Sequence, residues 1–158
     1  MLIRQLERKD VEPLRTILQA TNVFRGEEVE TAIELMEATL DETEDYVQKT
    51  AVDETDTAQG YYCVGPTPMT KSTFDLYWIA VNPDYHGKGI GYQLLSDCEH
   101  TVSAMNGSLI VVETSSLPKY GGTRKFYVRN NYLETARIRD YYAPGDDLMI
   151  YTKHLQEH

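Results

Sequence analysis

Hydrophobic and polar positions change period along the chain and predict alternating strands and helices. Alternating or continuous apolar runs predict strands over residues 2–6, 46–52, 60–64, 74–81, 108–114, 133–142 and 148–155. Helical spacing of apolar residues predicts a helix after Asp10, which is expected to cap it. Further helices are predicted over residues 27–40, from the glycines near 90 to a stop at 106–107, and over residues 123–130.

The order of these elements favours an α/β fold. A strand, a glycine-rich turn, a helix and a second apolar strand succeed one another between residues 74 and 114. Such a βαβ unit places its two strands parallel, joined by a right-handed crossover. The hairpins on either side are antiparallel, so the sequence predicts a mixed central sheet of about six to seven strands with flanking helices.

Composition narrows the class of protein. The chain has 158 residues, of which 41% are hydrophobic, and a single domain over residues 1–158 is expected. No leader-like segment or membrane-length apolar run is present, so we expect a cytoplasmic protein that does not bind a membrane. Cys63 and Cys98 lack metal-ligand spacing, which favours reduced structural thiols and no metal site.

The formal net charge of −10 disfavours nucleic-acid binding, which needs a basic surface. A small or cationic partner fits this charge better. Glutamates at 27, 28, 30, 34 and 37 cover one face of the second predicted helix, where they either steer a cationic partner or only keep the protein soluble.

Three glycines at alternate positions, Gly87, Gly89 and Gly91, occupy the turn between a strand and a helix. Such a turn leaves the N–H groups of the helix N-terminus uncovered, which is the arrangement of an anion site, most simply a phosphate site. The dinucleotide fingerprint would need glycine where this chain has Tyr92, and the NTPase phosphate loop would need serine or threonine after Lys88. A plain tight connection is the competing interpretation.

The segment "HGKGIG", residues 86–91, resembles the pyrophosphate loop of the GNAT family of N-acetyltransferases, (Gln/Arg)-x-x-Gly-x-(Gly/Ala). His86 departs from that pattern. "LYWIAVNPDY" is similar to the strand that leads into the loop, and "TRKFYVRNNY" to the segment A-x-x-x-Y-x-x-x-G-F. The resemblance implies a GNAT fold, and acetyl-CoA held by the end of the strand and the loop: Ile79, Ala80, Val81, His86, Gly87, Lys88, Gly89, Ile90, Gly91 and Tyr92.

Two other segments have two interpretations each. Lys119, Arg124, Lys125 and Arg129 form a basic cluster that either offsets coenzyme A phosphate charge or is a solvated helix face. Residues 61–78 carry aromatic side chains around a loop stiffened by two prolines. In the family the corresponding region lies near the acceptor, whereas the alternative is a hairpin with ordinary aromatic packing.

Acetylation of an amine needs a base to deprotonate the ammonium group and an acid for the departing thiolate. In the resemblance Tyr127 falls on the family's frequent catalytic tyrosine. Glu113 resembles the glutamate of the family's ribosomal-protein alanine acetyltransferases. Glu113 is therefore the predicted base and Tyr127 the predicted acid, with Asp75 a competing base. Alternatively, Glu113 is only a solvated residue at the end of a strand, and Tyr127 is only a core aromatic residue.

The sequence thus predicts an N-acetyltransferase that moves an acetyl group from acetyl-CoA to a primary amine by direct attack in a ternary complex. The acceptor is expected to be a small-molecule or peptide amine, and a homodimer stays open. Two alternatives are a non-catalytic acyl-CoA binding or sensing module and transfer of a longer acyl group.

Overall fold

A computed structural model describes residues 1–155; the last three residues of the predicted domain, among them His158, lie outside that range. Its strands are β1 Leu2–Gln5, β2 Val47–Val52, β3 Ala58–Pro66, β4 Thr73–Val81, β5 Leu109–Ser115, β6 Leu133–Ala143 and β7 Asp146–His154. Its helices are α1 Val11–Ala20, α2 Gly26–Leu40, α3 Ile90–Ala104 and α4 Gly121–Arg129. Short 3-10 turns cover Arg8–Asp10, Pro83–Tyr85 and Pro118–Tyr120.

The seven strands form one mixed sheet in the order β1-β2-β3-β4-β5-β7-β6. Neighbouring strands are antiparallel except β4 and β5, the two strands of the βαβ unit, which are parallel. The predicted mixed α/β sheet is therefore confirmed. No helix within residues 1–155 is long and apolar enough to cross a membrane.

Two hydrophobic clusters cover the two faces of the sheet. One packs α3 and α4 against one face, with Leu94, Leu95 and Tyr127 at its centre. The other packs α1 and α2 against the opposite face, with Leu14 and Met36 fully buried. Both cysteine thiols are free and buried, one in each cluster.

The structure corrects the predicted role of Asp10. Its side chain makes no cap hydrogen bond to α1. Instead the carboxylate, 1% exposed, accepts hydrogen bonds from the Arg4 guanidinium at 2.8 and 3.0 Å and from the Glu7 N–H at 2.8 Å. Asp10 thus closes the 3-10 turn before α1 and ties it to β1, because a buried carboxylate needs a cationic partner.

The sheet divides between β4 and β5. Their register pairs are confined to the first three residues of each strand and end at Asp75↔Val111. In the pairing of β3 with β4, Tyr77 is an extra residue between Val64↔Leu76 and Cys63↔Trp78, which is a β-bulge. Beyond these residues β4 and β5 are not paired with each other, which leaves an opening in the sheet. The candidate site lies in this opening.

Candidate active site

The glycine loop uses backbone conformations that glycine permits. Gly87 has φ +79° and Gly89 has φ +81°, both in the left-handed region. Gly89 is the N-cap residue of α3, so the positive end of the helix dipole faces the loop. Within residues 1–155 no backbone carbonyl accepts a hydrogen bond from the N–H groups of Gly87, Gly89, Ile90, Gly91 and Tyr92. These groups can receive an anion.

A groove of about 650 Å³ lies beside this loop, and we call it the donor groove. The end of β4, the glycine loop and the start of α3 form one wall, and α4 forms the other. Gly91 lets α4 approach α3, since a Cβ there would lie 3.2 Å from Cε1 of Phe126. Nine of the ten residues predicted to bind the donor line the groove: Ile79, Ala80, Val81, His86, Gly87, Gly89, Ile90, Gly91 and Tyr92.

Lys88 is the exception. Its ammonium group lies over the Tyr85 ring, 5.3 Å from the centroid, and its side chain does not line the groove. His86, which departs from the family's loop pattern, places Nε2 3.2 Å from the carbonyl oxygen of Val81. His86 therefore links the loop to the end of β4.

The basic cluster divides between the two interpretations. Lys119 and Arg129 line the donor groove and bring positive charge to it. The Arg124 guanidinium instead donates to the carbonyl oxygens of Ser115 at 2.7 Å and Leu117 at 3.0 Å, which fixes the start of α4. Lys125 is exposed and lines neither cavity.

A second cavity of about 600 Å³, the acceptor cleft, fills the opening between β4 and β5. It adjoins the donor groove, because Ile79–Val81, His86, Lys119, Thr123 and Val23 line both. Glu113, Tyr127 and Asp75 all line the acceptor cleft. The structure therefore brings both predicted catalytic residues and the competing base to one cavity beside the glycine loop.

Glu113 is placed in the cleft by β5, beyond the last residue paired with β4. Its carboxylate has no hydrogen-bond or ion-pair partner among the described residues, and only its main chain is paired, with β7. Glu113 is exposed as a whole residue, and partial desolvation of its carboxyl group, followed by the negative charge of Asp75, raises the pKa of this carboxyl above its ordinary value. A free carboxylate with a raised pKa is suited to accept a proton.

Asp75 lies at the closed end of the opening, in register with Val111. Its Oδ2 accepts hydrogen bonds from the Thr67 hydroxyl at 2.7 Å and, at 3.4 Å, from the Tyr77 hydroxyl. Burial, followed by the charge of Asp75, raises the pKa of Tyr77 to about 12. The Asp75 carboxylate is thus engaged by hydroxyl groups of neighbouring residues, whereas that of Glu113, within the described part of the chain, is not.

Tyr127 lies on α4 with its side chain only 3% exposed. Its ring packs edge-on against Phe126 and Tyr132, with centroids 5.5 Å away in each case. Burial raises the pKa of its hydroxyl, so the phenol keeps its proton at neutral pH. Tyr127 is both a core aromatic and part of the cleft wall.

Three other parts of the cleft have no signal in the sequence. Tyr142 and Asp146 come from the β6–β7 hairpin, and the loop between α1 and α2, residues 21–25, forms a further wall. Burial and then the charge of Glu113 raise the pKa of Tyr142 to about 12. Of the aromatic segment 61–78, Tyr77 and Trp78 line the cleft, while Tyr61 and Tyr62 pack in the core.

Known proteins agree with this architecture. The family model for the acetyltransferase (GNAT) domain matches residues 34–134. A crystal structure from Desulfovibrio desulfuricans, of a protein assigned to the GNAT acetyltransferases, is 36% identical with a TM-score of 0.93, over 98% of this chain and 99% of that one. No curated protein matches the sequence significantly.

More distant structures share the fold. An aminoglycoside 6′-N-acetyltransferase complexed with coenzyme A has a TM-score of 0.80 at 16% identity, over 100% of this chain and 99% of that one. The ribosomal-protein-S18-alanine N-acetyltransferase from Escherichia coli has a TM-score of 0.76 at 18% identity, over 99% and 95%. These likenesses show the fold alone. The family model and the relative at 36% identity establish that the chain belongs to the GNAT family of acetyltransferases.

Proposed function

We propose that the chain acts as one domain that transfers an acetyl group from acetyl-CoA to a primary amine, by direct attack within a ternary complex. One observation carries this proposal: the donor groove and the acceptor cleft meet at the unpaired end of β4, with Glu113 and Tyr127 in the cleft wall. Two substrates held in cavities that meet can react without a covalent enzyme intermediate.

The donor groove fits coenzyme A chemically. Free N–H groups at the start of α3 suit a diphosphate, and Lys119 and Arg129 supply positive charge in an acidic protein. Structural neighbours carry this type of ligand: the aminoglycoside acetyltransferase is complexed with coenzyme A, and an acetyltransferase from Salmonella typhimurium, 19% identical, holds its cofactor acetyl-CoA. When bound, acetyl-CoA supplies the activated thioester.

Glu113 and Tyr127 divide the proton transfers. Glu113 takes a proton from the acceptor ammonium group, for which its unpartnered carboxylate and raised pKa are suited. Tyr127 keeps its proton because burial raises its pKa, and donates a hydrogen bond to the departing sulfur. The buried environment of Tyr127 thus keeps the acid protonated, and the Glu113 carboxylate, the base, has no hydrogen-bond partner among the described residues that competes for it.

The acceptor is proposed to be cationic. Among the carboxylates that line the cleft, Asp75, Glu113 and Asp146 form no ion pair with any residue in the range 1–155. Asp10, Asp97, Glu99 and Asp147 elsewhere all have cationic partners. An ammonium group entering the cleft would compensate the unpaired charge. Structural neighbours act, by name, on an aminoglycoside and on an alanine of a ribosomal protein, and their acetylation at nitrogen requires an amino group.

A panel of amines with acetyl-CoA tests this proposal. Release of free thiol, followed over small amines, amino acids, polyamines and peptide N-termini, should depend on the amine and favour cationic acceptors. Mass spectrometry of each product should identify the acyl group and the acceptor together. Binding of acetyl-CoA without amine-dependent thiol release over the whole panel would instead indicate a non-catalytic binding module.

A further inference from the structure

One hydrogen bond crosses the opening between the two halves of the sheet. The Tyr120 hydroxyl donates to the carbonyl oxygen of Val23 at 2.7 Å, although the residues are 97 positions apart. Tyr120 ends the 3-10 turn that leads into α4, and Val23 lies in the loop between α1 and α2. We call residues 21–25, held by this bond, the strap.

The strap lies where the two cavities meet. Val23 lines both the donor groove and the acceptor cleft, and Tyr120 lines the cleft. At the closed end of the opening, β4 and β5 are joined by strand pairing that ends at Asp75↔Val111. The Tyr120–Val23 hydrogen bond is a second connection between the halves, and it bounds the cleft opposite the paired ends of the strands.

Both sides of this connection are anchored separately. On the α4 side, Arg124 holds the carbonyl oxygens of Ser115 and Leu117. On the other side, Phe24 packs against the α1–α2 core, and Glu28 accepts a hydrogen bond from the Arg25 N–H at 3.1 Å. Val23 lies between these anchors and the end of α1, and within residues 1–155 its carbonyl oxygen is where the strap is hydrogen-bonded to the α4 side.

With the strap in place the cleft has walls from β4, β5, the β6–β7 hairpin and the strap itself. The strap is therefore one of the walls that an acceptor amine meets in the cleft that also contains Glu113. We propose that Tyr120 is a positioning residue that sets the width of the acceptor opening and thereby selects primary amines on unbranched arms. This inference rests on the proposed acetyl transfer.

The variant Tyr120→Phe keeps the ring and removes only the hydroxyl. A hydrogen bond to a backbone carbonyl shifts a closed-to-open equilibrium by about fivefold. For an unbranched amine, kcat/KM should therefore fall about fivefold, mainly through KM, while an α-branched amine should lose less or gain. The matched control is Tyr141→Phe, because Tyr141 is 55% exposed and lines neither cavity.

Hydrogen exchange of the free protein gives a readout that needs no turnover. Amides of residues 21–25 should exchange faster in Tyr120→Phe and be unchanged in Tyr141→Phe. Unchanged exchange, or an unchanged ratio of kcat/KM between unbranched and branched amines, would overturn the inference. If the wild-type protein acetylates no amine, the proposed function fails by itself, and unchanged exchange would still overturn the strap independently.

Discussion

Replacing Glu113 by glutamine removes the proposed base and keeps its size. The side chain has no hydrogen-bond or ion-pair partner to lose among the described residues, so the fold and donor binding should be retained. The variant can use only acceptor amine that is already neutral. An alkyl amine with a pKa of about 10.4 is neutral in about one molecule per 10³ near pH 7.4.

The expected loss in kcat/KM at that pH is therefore about 10³-fold, within the range of about 10²- to 10⁴-fold that general base catalysis supplies. The loss should shrink about tenfold for each pH unit and vanish near the pKa of the amine. In the wild type the pKa of Glu113 is raised, so its carboxylate is lost as pH falls through a value above that of an ordinary glutamate. Wild-type kcat/KM should therefore fall as pH decreases through the raised pKa of Glu113.

Initial rates of thiol release between about pH 4 and pH 10, at subsaturating acceptor, measure both profiles. Asp75→Asn is the matched control, because it removes the cleft carboxylate that raises the pKa of Glu113. In Asp75→Asn the fall of kcat/KM at acidic pH should occur at a lower pH than in the wild type. This variant should show no loss of kcat/KM that is restored at high pH. A Glu113→Gln profile parallel to the wild type would refute Glu113 as the base. The same pH-dependent rescue in Asp75→Asn would assign the base to Asp75.

Three further predictions concern the glycine loop, the electrostatic field of the acidic protein and two tyrosine hydroxyls of the core. Gly89→Ala and Gly145→Ala each force alanine to a left-handed φ, and each should cost about 1 to 2 kcal/mol of stability. In calorimetric titration only Gly89→Ala should weaken coenzyme A binding, by about tenfold or more. Equal affinities of the two variants would show that the loop is not part of the donor site. Raising salt from about 0.05 to 0.5 M should lower kcat/KM for a cationic acceptor, and salt-independent rates would discard steering by the negative charge. In urea unfolding, Tyr61→Phe should raise the free energy of unfolding by about 1 kcal/mol, because that buried hydroxyl has no partner within residues 1–155. Tyr62→Phe should lower the free energy of unfolding by about 1 to 3 kcal/mol, because it removes a 2.6 Å hydrogen bond to Asp97. The opposite order of the two variants would contradict the assignment of these hydroxyls.

The elements with a clear apolar period were predictable from the sequence. The spacing of buried residues in α1 and α2 and the apolar run of β5 are local properties of the chain, and they gave elements within a few residues of those observed. The apolar pattern predicts the start of α4 at residue 123, whereas the helix begins at Gly121, because two glycines hide its first turn. Asp10 was misjudged since its partner, Arg4, is supplied by another element.

The donor side of the site is a local feature of the sequence, whereas the acceptor side is assembled from distant segments. Gly87, Gly89 and the start of α3 are contiguous, so the loop geometry follows from the residues themselves. Tyr142 and Val23 reach the cleft only because β7 pairs with β5, with β6 beyond it, and because α1 and α2 cover one face of the sheet. No spacing along the chain indicates either contact.

The path of the acetyl group tests the proposed direct transfer. The protein is mixed with acetyl-CoA alone, then with acetyl-CoA and an accepted amine, and the intact protein and the amine are weighed by mass spectrometry at short reaction times. Direct attack in a ternary complex predicts an unmodified protein in both mixtures and one acetyl group on the amine nitrogen in the second. A protein that carries the acetyl group before amine is added, and loses it when amine arrives, would contradict this account.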